Sequence, residues 1–199
     1  MTDEGYIKYQ IHWDRAEALP NFLLSEIQIW RKKMYDAALI GFDEKLQVGY
    51  GNISIRHPEA PDQFIISGTQ TGHLADLTAA HYTLVTSYDI PGNQLHCQGP
   101  IKASSESLTH AAVYELNPQF QAVIHIHHRQ MWEKLLHEVP TTSEKVPYGT
   151  PEMAFEVARL YRETKLPEMK LFAMAGHQDG IVAFGENLTE AGEGLLRSL

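Results

Sequence analysis

The 199-residue chain is 43% hydrophobic and 21% charged, a globular composition long enough to bury a core unaided, which excludes a disordered or staple-dependent protein. Its formal net charge of −9, with no basic run, argues against nucleic acid as a partner but leaves room for a small anion held by amides and hydroxyls. A single cysteine, Cys97, excludes an internal disulfide, and neither a secretory leader in MTDEGYIKYQIHWD nor an apolar run near the roughly 18 residues of a membrane span is seen, so a soluble, cytoplasmic protein with no membrane partner is expected.

No repeat, low-complexity tract or linker interrupts the chain, so one domain is expected over residues 1–199. Residues 19–40 place Phe22, Ile27, Trp30, Met34 and Ala38 at helical spacing, with Gly41 as the stop. Strand-like pieces follow at Ile53–Arg56, Gln63–Ser67, Thr83–Tyr88 and Gln94–Gln98, the last two joined by the turn-forming DIPGN. ASSESLTHAAVYELNP reads as a capped helix ended by Pro118. AVIHIH, residues 122–127, alternates strictly and is rich in β-branched residues, the pattern of a strand. A helix is expected over 151–164 with Pro151 in its first turn, then the strands KLFAMAG and IVAFG, then a helix capped by Thr189. Paired strands in the middle with helices on either side suggest a mostly antiparallel sheet flanked by helices.

Of 11 histidines, two lie in a telling place. His125 and His127 are two apart on a strand and therefore share a face, where two neutral imidazoles can hold one ion. The competing reading is a pair of core histidines bonded to backbone. His128 points the other way, to the surface or to a supporting position. His177, in AGHQDG, is the candidate third ligand, or a plain loop histidine; Asp179 is a rival ligand or an orienting partner for an imidazole. Glu106 falls in the first turn of a helix after Ser104 and Ser105, where amides and hydroxyls make a natural anion site; it is also where a carboxylate simply favours a helix terminus. His110, four residues on, either meets Glu106 or packs. GYGNISI presents Asn52, and ISGTQTG clusters Ser67, Gly68, Thr69 and Thr71; both loops can bind an anion, and neither matches a nucleotide-binding fingerprint.

In order, GNIS, SGT, SSE, AVIHIH and GH…DGI make a chain that resembles the class II aldolase/adducin family from about residue 20 onward. The resemblance implies an α/β three-layer α/β/α sandwich with a central, mainly antiparallel sheet. It implies His125, His127 and His177 as ligands of a divalent metal ion, with zinc expected, and Glu106 as the catalytic acid/base. Asn52, Ser67, Gly68, Thr69, Ser104 and Ser105 fall where substrate and its phosphate are held. The implied activity is that of a metal-dependent aldehyde-lyase (aldolase) acting on a hydroxy-carbonyl compound, a sugar phosphate or related ketose, through a metal-stabilised enediolate. An epimerase or dehydratase using the same site, or a non-catalytic module like the adducin head, are the alternatives. A homo-oligomer, with a tetramer common among members, is implied as well. Two departures stand out: Gly49 replaces a phosphate-binding threonine, and the aldolases' interface tyrosine has no counterpart beyond Tyr148.

Overall fold

The computed structural model describes residues 6–199. Eight strands form one sheet: β1 (Gln10–Arg15), β4 (Asn52–His57), β5 (Ala60–Ser67), β6 (Tyr82–Asp89), β7 (Gln94–Gly99), β8 (Ala122–His127), β9 (Leu171–Ala173) and β10 (Gly180–Gly185). Their spatial order is β1-β7-β6-β5-β4-β8-β10-β9, and every pairing is antiparallel except β1 with β7. A separate ribbon, β2 (Gly41–Asp43) with β3 (Val48–Tyr50), leads into β4.

Alternation along the strands divides the core in two, which defines three layers. On one face Phe64, Ile66, Val85, Val123, Val182 and Phe184 pack with α2 (Ser107–Leu116) and α4 (Pro151–Glu163). On the other, Ile53, Ile65, Ile124, Ile126, Ile181 and Ala183 pack with α1 (Asn21–Asp36) and α6 (Leu188–Leu196). Two short helices, α3 (Arg129–Leu135) and α5 (Leu166–Met169), complete the chain. Among the described residues no helix is long and apolar enough to cross a membrane. This is the expected α/β/α sandwich with a mainly antiparallel sheet.

Several boundaries differ from the sequence reading. The first helix ends at Asp36 rather than running to Gly41, because Ala38 turns into the left-handed region at φ 57°. Glu106 sits at the N-cap of α2, one residue before the helix, instead of within its first turn. The last helix is capped by Asn187, whose Oδ1 accepts from the Glu190 amide at 2.8 Å, and Thr189 lies inside it. Strand β1, the ribbon and α3 were not anticipated.

β8 holds the centre of the site's geometry. It lies between β4 and β10, pairing His125 with Asn52 on one side and Val182 on the other, while His127 faces Gly180. Ile124 and Ile126, fully buried beneath, fix which face the two imidazoles present. A slip of one residue would turn both rings into the α1/α6 layer and expel two isoleucines, so the register is strongly determined.

Candidate metal centre

Three histidines meet at the end of the sheet. The Nε2 atom of His127 lies 3.0 Å from that of His125 and 2.9 Å from that of His177. His177 is carried on the turn between β9 and β10, pinned by its own amide to Met174 O (3.2 Å) and by Gly180 N to its carbonyl (3.0 Å). Gly180 is required there: an added Cβ would sit 2.6 Å from Cδ2 of His177 and 3.2 Å from Cε1 of His125. Glu106, 2% exposed, places Oε1 2.9 Å from Nε2 of His177 and 3.4 Å from Nε2 of His125.

The donor chemistry fits a cation. One shared proton cannot satisfy three ring nitrogens that all point at one place, whereas one ion can. Nitrogen ligands at roughly 2.0–2.1 Å from a tetrahedral zinc would stand roughly 3.3 Å apart, close to the spacings here. Burial drives His125 down from 6.5 to about 3, with the neighbouring Glu106 charge pulling the other way. His127 is held well below its ordinary value, by burial and by His177. Both are thus neutral, the form that binds metal. Burial raises Glu106 above the usual carboxylate range, and His125 and Lys8 act against that rise. Among the described residues, His125, His127 and His177 are the one histidine, cysteine or acid cluster with metal-ligand spacing.

A narrow polar recess of about 20 Å³ opens beside Glu106 and His125, lined by Asn52, the loop from Gly68 to Gly72, Ser104 and Ser105. Asn52 Oδ1 and Glu106 Oε2 are buried there without a hydrogen-bond partner among the described residues. Such atoms cost free energy unless a ligand meets them. Behind His127 a second hollow of about 280 Å³ is lined by Asp43, Tyr50, His128, Arg129 and Asp179, and the Tyr50 ring stacks on His127 at 5.4 Å. A larger cleft of about 450 Å³ around His137 and Lys165 lies away from the histidines.

The structure therefore brings together His125, His127, His177, Glu106, Asn52, Gly68, Thr69, Ser104 and Ser105. Ser67 is set apart, its hydroxyl accepting from the Ile53 amide at 3.2 Å. Asp179 turns to Arg129 (3.3 Å), not to an imidazole, and His128 caps α3 by accepting from the Met131 amide at 3.1 Å. His110 is wholly buried and bonded to Ser54 (2.7 Å), which also meets Tyr114 (2.7 Å). Sequence reasoning missed the segment ahead of β1. Tyr9 donates to the Ser104 carbonyl at 2.7 Å, and Lys8 lies 3.6 Å over the ring of Tyr148, itself 4.4 Å from His177. No local motif marks Lys8 or Tyr9, so only their place in the fold reveals them.

An antiparallel-centred α/β/α sandwich with a buried three-histidine, one-carboxylate cluster is the class that fold and site define. The sequence profile described as Class II Aldolase and Adducin N-terminal domain matches residues 32–195, and the chain belongs to that family. Among solved structures it is similar to an L-fuculose 1-phosphate aldolase (20% identity, 91% of this chain and 84% of that one, TM-score 0.67). It is also similar to a sugar-phosphate aldolase from Thermotoga maritima (18% identity, 89% and 90%, TM-score 0.68). A third, YgbL of Escherichia coli, named as a candidate aldolase/epimerase/decarboxylase, matches at 20% identity over 88% and 84%, TM-score 0.64. At these identities the likeness concerns the fold. No curated protein gives a match.

Proposed function

We propose that the protein is a metal-dependent aldolase acting on a hydroxy-carbonyl compound, a sugar phosphate, with His125, His127 and His177 holding a divalent ion and Glu106 moving the proton. The observation that carries this reading is the convergence of three buried Nε2 atoms with Glu106 Oε1, 2.9 Å from the nearest of them, at the mouth of a polar recess. An all-imidazole set with a carboxylate suits zinc.

When bound, the ion supplies Lewis-acid polarisation of a carbonyl oxygen. Glu106 stands within reach of that position, its Oε1 2.9 Å from Nε2 of His177, as a carboxylate able to take a proton from carbon or hydroxyl. With Oε1 against two of the imidazole nitrogens it can also act as a fourth donor in the absence of substrate. Asn52, Thr69, Ser104 and Ser105 offer amide and hydroxyl donors for the phosphate end. Neutral donors account for anion binding in a chain with a net charge of −9. Tyr148 packs its ring 4.4 Å from that of His177 within the same chain and Tyr50 stacks 5.4 Å from that of His127, which brings two tyrosines beside the centre.

An epimerase or dehydratase would use the same proton transfer, so the test must read the product. A panel of ketose phosphates scored for triose release is expected to show cleavage that falls by 10²-fold or more in Glu106→Gln. Interconversion without triose release would replace the lyase reading by the epimerase one, and cleavage undiminished in Glu106→Gln would remove Glu106 from its role.

A further inference from the structure

The buried face of α1 carries one full charge. Ile27 and Met34 are fully buried, and between them Arg31 is only 2% exposed. Its guanidinium is met by backbone carbonyls: Nη2 donates to Leu74 O (2.7 Å), Thr71 O (3.0 Å) and Gly72 O (3.3 Å), and Nη1 to Ala75 O (3.3 Å). Burial lowers its pKa, with Tyr82, Tyr35, Asp76 and Asp36 opposing through space, yet a guanidinium stays protonated in any protein environment. A fixed positive charge thus lies behind the segment 71–75.

That segment continues the loop lining the polar recess, where Gly68, Thr69, Gln70, Thr71 and Gly72 form one wall. A trans peptide points its N–H opposite its C=O. Turning the Thr71 and Gly72 carbonyls onto Arg31 therefore turns the amides of Gly72 and His73 away from it. Thr71 is further tied by its hydroxyl to Gly68 O at 2.9 Å. The loop also packs against the β2–β3 ribbon, with no room for a side chain: a Cβ on Gly72 would strike the Gly41 carbonyl and come within 2.7 Å of the Tyr50 amide.

We propose that Arg31 is a positioning residue that sets substrate specificity: it holds the Thr71 and Gly72 carbonyls on the α1 side and so orients the amides at that end of the loop for a doubly charged anion such as a phosphate monoester, the Gly68 and Thr69 amides being already bonded to the His81 and Lys102 carbonyls (2.8 and 3.0 Å). This rests on the reading that the recess takes the substrate's phosphate. The geometry also explains why arginine is needed. Its planar fork meets four carbonyls at once, whereas a lysine ammonium has three donors on a flexible stem and cannot reproduce that spread.

The test measures binding of inorganic phosphate by calorimetry to metal-loaded wild type and to Arg31→Lys, alongside the affinity of each for the metal. The expected result is phosphate binding at least tenfold weaker in Arg31→Lys with metal affinity unchanged. Given a cleaved ketose phosphate, KM should rise while kcat holds. Should Arg31→Lys fail to fold, Arg31→Gln carries the same comparison. Phosphate binding equal to wild type would overturn the proposal, and so would equal losses of phosphate and metal affinity, which would mark Arg31 as scaffold only. Wild type that takes metal but no phosphate would instead refute the phosphate reading of the recess.

Discussion

Acidifying the metal-free protein should destabilise it at pH values above those where ordinary carboxylates titrate. His125 is 1% exposed with a pKa near 3, and His110, fully buried, and His127 are both held well below 6.5. The folded state thus keeps these imidazoles neutral, while the unfolded chain protonates them below about pH 6.5. Unfolding takes up protons between the unfolded and folded values, so stability is intact above pH 6.5 and is lost as pH falls. Glu106 acts with opposite sign: its folded pKa is raised above 4.5, so above 4.5 and below that raised value it is protonated when folded and releases a proton on unfolding. Each imidazole kept neutral by the fold takes up as much as one proton on unfolding, worth about 1.4 kcal/mol per pH unit, and Glu106 offsets part of the sum. The unfolded imidazoles are half protonated at about pH 6.5, so a drop to about pH 5 removes about 1.6 kcal/mol for each, roughly 5 kcal/mol for the three before the Glu106 offset, from a total of about 5–15. Urea denaturation of chelator-treated protein at pH 7.5, 6.0 and 5.0 reads this directly. His110→Gln, lacking one of the three imidazoles, should show a shallower slope. A urea midpoint constant across that range would refute the claim that these rings are buried and neutral.

Other consequences can be checked separately. Gly180→Ala, whose methyl would meet the His177 ring 2.6 Å away, should weaken metal binding at least tenfold in a chelator competition; an unchanged affinity would show that the ring has room to move. Tyr9→Phe removes the 2.7 Å hydrogen bond to Ser104 O and should cost about 1 kcal/mol in urea denaturation, leaving metal content intact. Asn187→Ala strips the cap of α6 and should cost about 0.5–2 kcal/mol with no effect on the site, a control for purely structural loss.

How much could be read beforehand depended on how local the cause was. AVIHIH declared its strand and its two-histidine face through alternation alone, and the fold kept that register because Ile124 and Ile126 fill the opposite layer. His177 is legible only as part of a motif order. Its approach to the pair depends on the pairing of β10 with β8, a contact some 50 positions along the chain that no local pattern encodes. Strand β1 escaped notice because QIHWDR, although it alternates, is short, lies at the sheet edge and covers only Ile11 and Trp13 in part. Arg31 did leave a trace, a cation at i+4 from Ile27 on an apolar stripe. Its acceptors are carbonyls of a loop 40 residues away, whose direction only the folded chain determines.

Metal content and affinity in protein purified without added ions provide the most direct measure of the three-histidine centre. About one divalent ion per chain is expected in wild type, with His125→Ala, His127→Ala and His177→Ala each losing it while remaining folded. Equal metal in wild type and all three variants would contradict the account.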